Sequence, residues 1–283
     1  MKWRGYIWFV EAHQHTNLEP IHPGSGRDRG PLKRIGSALA ALGILIANLA
    51  AKLKVLLVAL PKLKLFSTSA SMLVSIAAYQ LIFGWLFSVG FVLLLLLHEL
   101  GHVFQLRREG VKASAPMFIP FLGAVISAKS MGDDAAAEAR VGLAGPILGS
   151  IATLLPLGVW LATGDDFWRA LAFIGFFLNL FNLIPVLPLD GGRAMAALSP
   201  WVWLVGFAGL IAMAFVFPSP ILLIILVLGG MESWRRWKAR NTPEGRAYHR
   251  IPTRTRVLVA ATYLMLIAAL AAGVSATHLP RSL

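Results

Sequence analysis

The chain contains no cysteine. No disulfide framework can brace it and no thiolate can bind metal, so any zinc must be held by nitrogen and oxygen ligands. Acidic residues are scarce too: 13 Asp and Glu stand against 26 Lys and Arg, a formal net charge of +13 over 283 residues. In a soluble protein that surplus would point to nucleic acid. Here the cations gather in loops beside apolar runs, as the positive-inside rule expects, and no nucleic-acid partner is implied. Only 14% of residues are charged while 57% are hydrophobic, and several apolar runs approach the roughly 20 residues of a bilayer-spanning helix. The expected class is an all-α polytopic membrane protein with about six to seven transmembrane helices, embedded in a lipid bilayer.

One stretch inside these runs carries chemistry. His98-Glu99-Leu100-Gly101-His102 reads His-Glu-x-x-His, and two histidines four apart lie one turn apart on one helix face. Both imidazoles can therefore reach one tetrahedral zinc ion, with Glu99 beside the metal rather than on it, where a carboxylate can take a proton from water. A bare His-Glu-x-x-His also arises by chance. The setting decides between the readings: residues 89–97 are unbroken apolar sequence, and three polar groups at membrane depth would each need compensation unless a metal and a third ligand were present.

Taken in order, residues 1–34 are polar. Residues 5–10 are too short for a signal-peptide core, and Glu11 follows at once. His13, His15 and His22 belong to this solvated tail. Residues 35–66 are apolar but carry cations at both ends, and a helix lying in the cytoplasmic interface is expected. Residues 67–231 form the expected core, with spans at 72–87, 89–106, 141–161 and 167–187 and a hairpin of 201–217 and 221–231. Pro146 is expected to kink its helix, and Gly145 with Gly149 to permit close helix approach. Residues 232–256 read as a basic cytoplasmic loop and 257–283 as a final span and tail. Arg107, Arg108 and Lys112 place the end of the motif helix in the cytoplasm. At 1.5 Å per residue, His102 lies about 8 Å and His98 about 14 Å inside that level.

Between the motif helix and the next span, residues 113–128 carry no charge but include Pro116, Pro120 and Gly123. That composition breaks helices, and irregular backbone at membrane depth survives only against protein or a cavity, so a re-entrant extended hairpin is expected. Pro116, Phe118, Phe121, Gly123 and Val125 are its candidate substrate-binding residues, since an extended substrate can add to a strand edge. The candidate third ligand is Asp190, which ends an apolar segment on the same side as His102. Pro185 and Pro188 break the helix there, and Gly191-Gly192 are read as letting the backbone swing the carboxylate inward. Two histidines and one carboxylate leave one zinc position open.

At these two motifs the chain resembles the site-2 protease family of intramembrane zinc metalloproteases. His-Glu-Leu-Gly-His in one membrane helix, Asn182 through Asp190-Gly191 in another and Ala144-Gly145-Pro146 between them carry the likeness, which covers about residues 72–195. The resemblance implies one Zn²⁺ per chain on His98, His102 and Asp190, with Glu99 as general base and Asn182 polarising the scissile carbonyl. It also implies hydrolysis of a membrane-anchored protein near the cytoplasmic leaflet, in a multi-pass protein of a prokaryotic plasma membrane. No room exists for a PDZ-like insertion and no nucleotide-sensing CBS domain follows, so a compact member is expected. A metal-binding transporter or a catalytically silent scaffold is the alternative, but transporters usually show paired half-repeats and only one constellation is present.

Overall fold

In the computed structural model, residues 43, 44, 48, 68–217 and 219–278 are described. The expectations for residues 1–34 and most of 35–66 fall outside them. The chain divides into two compact units, 1–45 and 46–283, and the architecture below is that of the second.

Helix α1, Thr68–Phe83, is separated from α2, Trp85–Arg108, by Gly84 alone. Gly84 has φ of 79°, a left-handed conformation that a side chain resists, so the break falls there rather than at Ser88. A hairpin follows, β1 (Met117–Ile119) and β2 (Gly123–Val125), antiparallel with Met117 opposite Val125 and Phe118 opposite Ala124. Its base is extended by a bridge between Ala113 and Ala128. Helix α3, Ala135–Thr163, starts six residues before the expected span because Asp134 caps it, accepting the Ala137 N–H at 2.7 Å. It continues through Pro146 and Pro156 and stops at Gly164 in the left-handed conformation. Asp165 caps α4, Asp166–Asn182, by accepting the Phe167 N–H. Turns then lead through Pro185 and Pro188 to α5, Asp190–Ala194.

The hairpin of α6 (Pro200–Val216) and α7 (Pro220–Ala239) is present, but α7 runs eight residues past the expected end. What reads as one basic loop holds the last two turns of α7 and a short helix α8, Pro243–Tyr248. Helix α9, Thr253–Thr277, completes the order. Among the described residues three helices, Trp85–Arg108, Ala135–Thr163 and Thr253–Thr277, are long and apolar enough to cross a membrane. Thr68–Phe83 and Trp203–Val216 are shorter apolar helices. Large apolar side chains face outward on several of them, Leu155 at 71% and Phe215 at 86% exposure among them, as lipid-facing surfaces do.

The main core joins α3, α4, α5 and α9 through Leu143, Phe176, Ala194 and Leu270, with Leu187 of the proline turns between them. A second cluster of Ile76, Tyr79, Val92, Leu95 and Phe118 seals the hairpin against α1 and α2. The hairpin is also held through its backbone. Ser71 Oγ accepts the N–H of Phe118, and the Tyr79 hydroxyl accepts that of Phe121, each at 3.1 Å. Just past the end of α2, Glu109 takes two hydrogen bonds from Arg140 of α3, at 2.7 and 2.8 Å. Those bonds hold its carboxyl below the usual range.

Candidate metal centre

Three helices and a break place the site. Helix α2 carries His98 and His102 on one face, α4 ends just before the proline turns, and α5 begins at Asp190. Helix α3 crosses behind them on a stripe of small residues. A Cβ at Gly145 would lie 2.2 Å from His102 Nε2, and one at Gly149 would lie 2.3 Å from Asn179 Oδ1. A Cβ at Gly101 of α2 would likewise lie 2.3 Å from the Ala144 carbonyl oxygen. The expected small-residue approach is therefore real, and what it makes room for is the polar cluster itself.

Gly191 and Gly192 act differently from the expectation. Both sit within helical α5, and a Cβ on either would strike the backbone of residues 183–187 at 2.1–2.4 Å. Their missing side chains let α5 fold back on the proline turns; conformational freedom is not what they supply.

His98 Nε2, His102 Nε2 and Asp190 Oδ2 form a triangle with edges of 3.1, 3.1 and 3.2 Å. All three residues are buried, at 2%, 8% and 9% exposure. Their partners fix the chemistry of the converging atoms. His98 Nδ1–H donates to Asn179 Oδ1 at 2.8 Å. Asn179 is itself oriented by donating Nδ2–H to the Gly175 carbonyl at 2.8 Å. His102 Nδ1–H donates to the Val141 carbonyl, also at 2.8 Å. With both Nδ1 atoms carrying protons, the neutral imidazoles present bare Nε2 lone pairs.

Two nitrogen lone pairs and a carboxylate oxygen then face one another, three acceptors without a donor between them. That arrangement is repulsive unless a cation sits among them. Tetrahedral ligands at 2.0–2.1 Å from zinc stand about 3.3–3.4 Å apart, close to the spacings found. The donor set, two imidazoles and one carboxylate, suits zinc and leaves its fourth position open.

Glu99 is buried, at 9% exposure, next to His98 in sequence and outside the metal-holding group. Asn182 does not join the cluster; its Nδ2–H donates to the Leu178 carbonyl at 3.1 Å. The asparagine bonded to a ligand is Asn179, one turn earlier, which sequence reading passed over. Its signal was a carboxamide inside an apolar helix segment. Among the hairpin candidates, Pro116 is buried and Phe118 is sealed in the core at 1% exposure. Gly123 and Val125 are half-buried, and Phe121 is exposed at the tip with φ of 63°.

Comparison with known proteins agrees with the two-motif reading. Residues 86–164 and 158–204 match the family model described as Peptidase family M50, so the resemblance to the site-2 protease family is borne out over the segment that holds the triangle. The chain is 33% identical over 119 residues to a zinc metalloprotease of Methanocaldococcus jannaschii, covering 39% of this chain and 34% of that one. It is 32% identical over 137 residues to Rip3, a candidate zinc metalloprotease of Mycobacterium tuberculosis, covering 44% and 34%. The match thus spans about a third of the length of these relatives.

Proposed function

We propose that the chain is an intramembrane zinc metalloendopeptidase that hydrolyses a peptide bond of a membrane-anchored protein near the cytoplasmic leaflet. The observation that carries this reading is the convergence of three acceptor atoms: His98 Nε2 and His102 Nε2, from a helix apolar enough to cross a membrane, meet Asp190 Oδ2 from α5. A bound zinc ion supplies a Lewis acid and brings the pKa of a coordinated water towards 7. Glu99 takes the proton from the attacking water and delivers it to the leaving amine. Asn182 steadies the developing oxyanion by exchanging its bond to the Leu178 carbonyl for one to the substrate. His98 and His102 are held in register by Asn179 and Val141, so the ligand set is oriented before substrate arrives.

The substrate must reach this centre extended, because backbone amides within a helix are hydrogen-bonded and shielded. Unwinding a helix in lipid strands polar groups at several kcal/mol each. The hairpin offers replacements at one edge. β1 is engaged by Ser71 on its outer side. Phe118 therefore points its N–H away from β2, and Ala124 opposite it points its own away from β1. The Ala124 peptide is the open edge at which an extended substrate adds, with Gly123, Val125 and Phe121 around it and Phe118 and Pro116 anchoring the strand from below. The fold is read as six to seven spans with this hairpin re-entrant, in a prokaryotic plasma membrane.

The test combines elemental analysis with a cleavage panel of single-span substrates. Wild type is expected to hold one zinc per chain and to cut at least one substrate, and Asp190→Ala to hold zinc weakly. Full, equally tight retention in Asp190→Ala would remove the aspartate from the site.

A further inference from the structure

Helices α6 and α7 enclose a slot of about 380 Å³ that the peptidase reading does not use. Its walls are aromatic, formed by Trp203, Phe207, Trp234 and Trp237, with Gly230 and Ser233 lining it from α7. A Cβ at Gly230 would already press to 3.1 Å from the Phe207 ring, so the glycine keeps the slot wide. Ser233 Oγ is buried at the slot and makes no hydrogen bond within the protein. A helical serine ordinarily bonds back to its own backbone, and this one does not. The inner wall reaches the metal centre: Trp203 Nε1–H donates to the Gly192 carbonyl of α5 at 2.7 Å.

Cations stand at one end of the slot. The Arg240 guanidinium stacks 3.7 Å over the Trp237 ring, and the Lys238 ammonium lies 5.3 Å from the centre of Trp234. Arg236, 5.5 Å over Trp203, is already committed to Glu138 and Glu232. Arg240 spends one N–H on the Trp237 carbonyl, and neither it nor Lys238 makes an ion pair among the described residues. The outer rim is open, with Trp234 at 62% exposure. An apolar aromatic slot that ends in unpaired cations beside indole rings is built like the boundary of a bilayer. An acyl chain fits its body, Ser233 offers an ester oxygen a donor, and the cations complement a phosphate rather than a cationic or neutral partner.

We propose that this slot is a binding site for one anionic phospholipid, its phosphate held at Lys238 and Arg240 and a chain lying between Trp203 and Trp234. The occupant packs against a wall bonded to α5, which makes it a brace for the helix that carries Asp190. The site stands independently of the peptidase reading.

The test uses the purified full chain, given equal amounts of phosphatidylglycerol and phosphatidylcholine with matched chains, and counts retained lipids by native mass spectrometry. Wild type is expected to keep one phosphatidylglycerol in clear preference to phosphatidylcholine. Each of Lys238→Gln and Arg240→Gln should weaken that preference about fivefold, as one interfacial cation is worth. Ser233→Leu, which fills the slot, should lose both lipids, while Arg254→Gln, on the exposed start of α9, should behave as wild type. If Ser233→Leu does not fold, the variants of exposed Lys238 and half-buried Arg240 still decide. Equal retention of the two lipids by wild type would overturn the site. So would equal losses in Arg254→Gln and Arg240→Gln, which would reveal diffuse surface charge only.

Discussion

The chemistry of the candidate metal centre depends on which nitrogen of each histidine carries a proton. Asn179 Oδ1 and the Val141 carbonyl can only accept, so they hold the protons on Nδ1 and turn both Nε2 lone pairs inward. Removing such a partner typically costs 10–100-fold in metal affinity. Asn179→Leu is therefore expected to weaken zinc binding by about that factor, measured by competition with a chelator, and Asn179→Asp, which keeps the acceptor, to lose less. Unchanged affinity in Asn179→Leu would show that the acceptor does not orient His98. At this scale the sequence was informative where spacing encodes geometry. His98 and His102 share a face because a helix repeats every 3.6 residues, and Asp190 follows a double-proline break. Asn179 was illegible because its role depends on where α4 crosses α2, which no local pattern records. Gly191 and Gly192 were misread for a related reason: glycine marks both flexible and closely packed backbone, and only the neighbouring atoms tell them apart.

Among the elements, the hairpin was foreseen from composition alone. Two prolines and a glycine in uncharged apolar sequence exclude a helix, and antiparallel pairing of residues 117–119 with 123–125 is what remains. Its register, and so the direction in which each peptide points, was not available from sequence. That register sharpens the prediction. Ala124→Pro removes an outward donor, whereas Val125→Pro removes one that faces β1. Ala124→Pro is expected to slow cleavage at least tenfold with zinc content and thermal stability near wild type, and Val125→Pro to lower stability itself. Cleavage by Ala124→Pro at the wild-type rate, with the fold intact, would dismiss edge pairing. Helix boundaries moved for stated causes: Asp134 and Asp165 are caps, and Gly84 takes a left-handed φ. The last two turns of α7 read as loop because their cations hide a helix that Arg236 secures to buried Glu138 at 2.7 Å.

The second unit is arranged so that a small-residue face of α3 lets α2, α4 and α5 meet within hydrogen-bonding distance. The proposed membrane depth rests on the cations that flank the spans. Arg107 at the end of α2 and the basic segment 235–256 are expected on the same, cytoplasmic side. The absence of cysteine makes this simple to check, since a single cysteine introduced at Arg246 gives an unambiguous accessibility label. Labelling is expected only after the membrane is opened; labelling of intact cells from outside would reverse the topology.

The central claim is that a buried carboxylate beside a two-histidine, one-aspartate zinc site moves the proton in peptide hydrolysis. The most direct measurement is the cleavage rate of a single-span substrate by Glu99→Gln and wild type, each matched for bound zinc. The amide preserves shape but cannot accept the proton, so Glu99→Gln should bind zinc as wild type does while turnover falls by several powers of ten, each power being about 1.4 kcal/mol of barrier. Cleavage within about tenfold of wild type at equal zinc would contradict the assignment of Glu99 as the base.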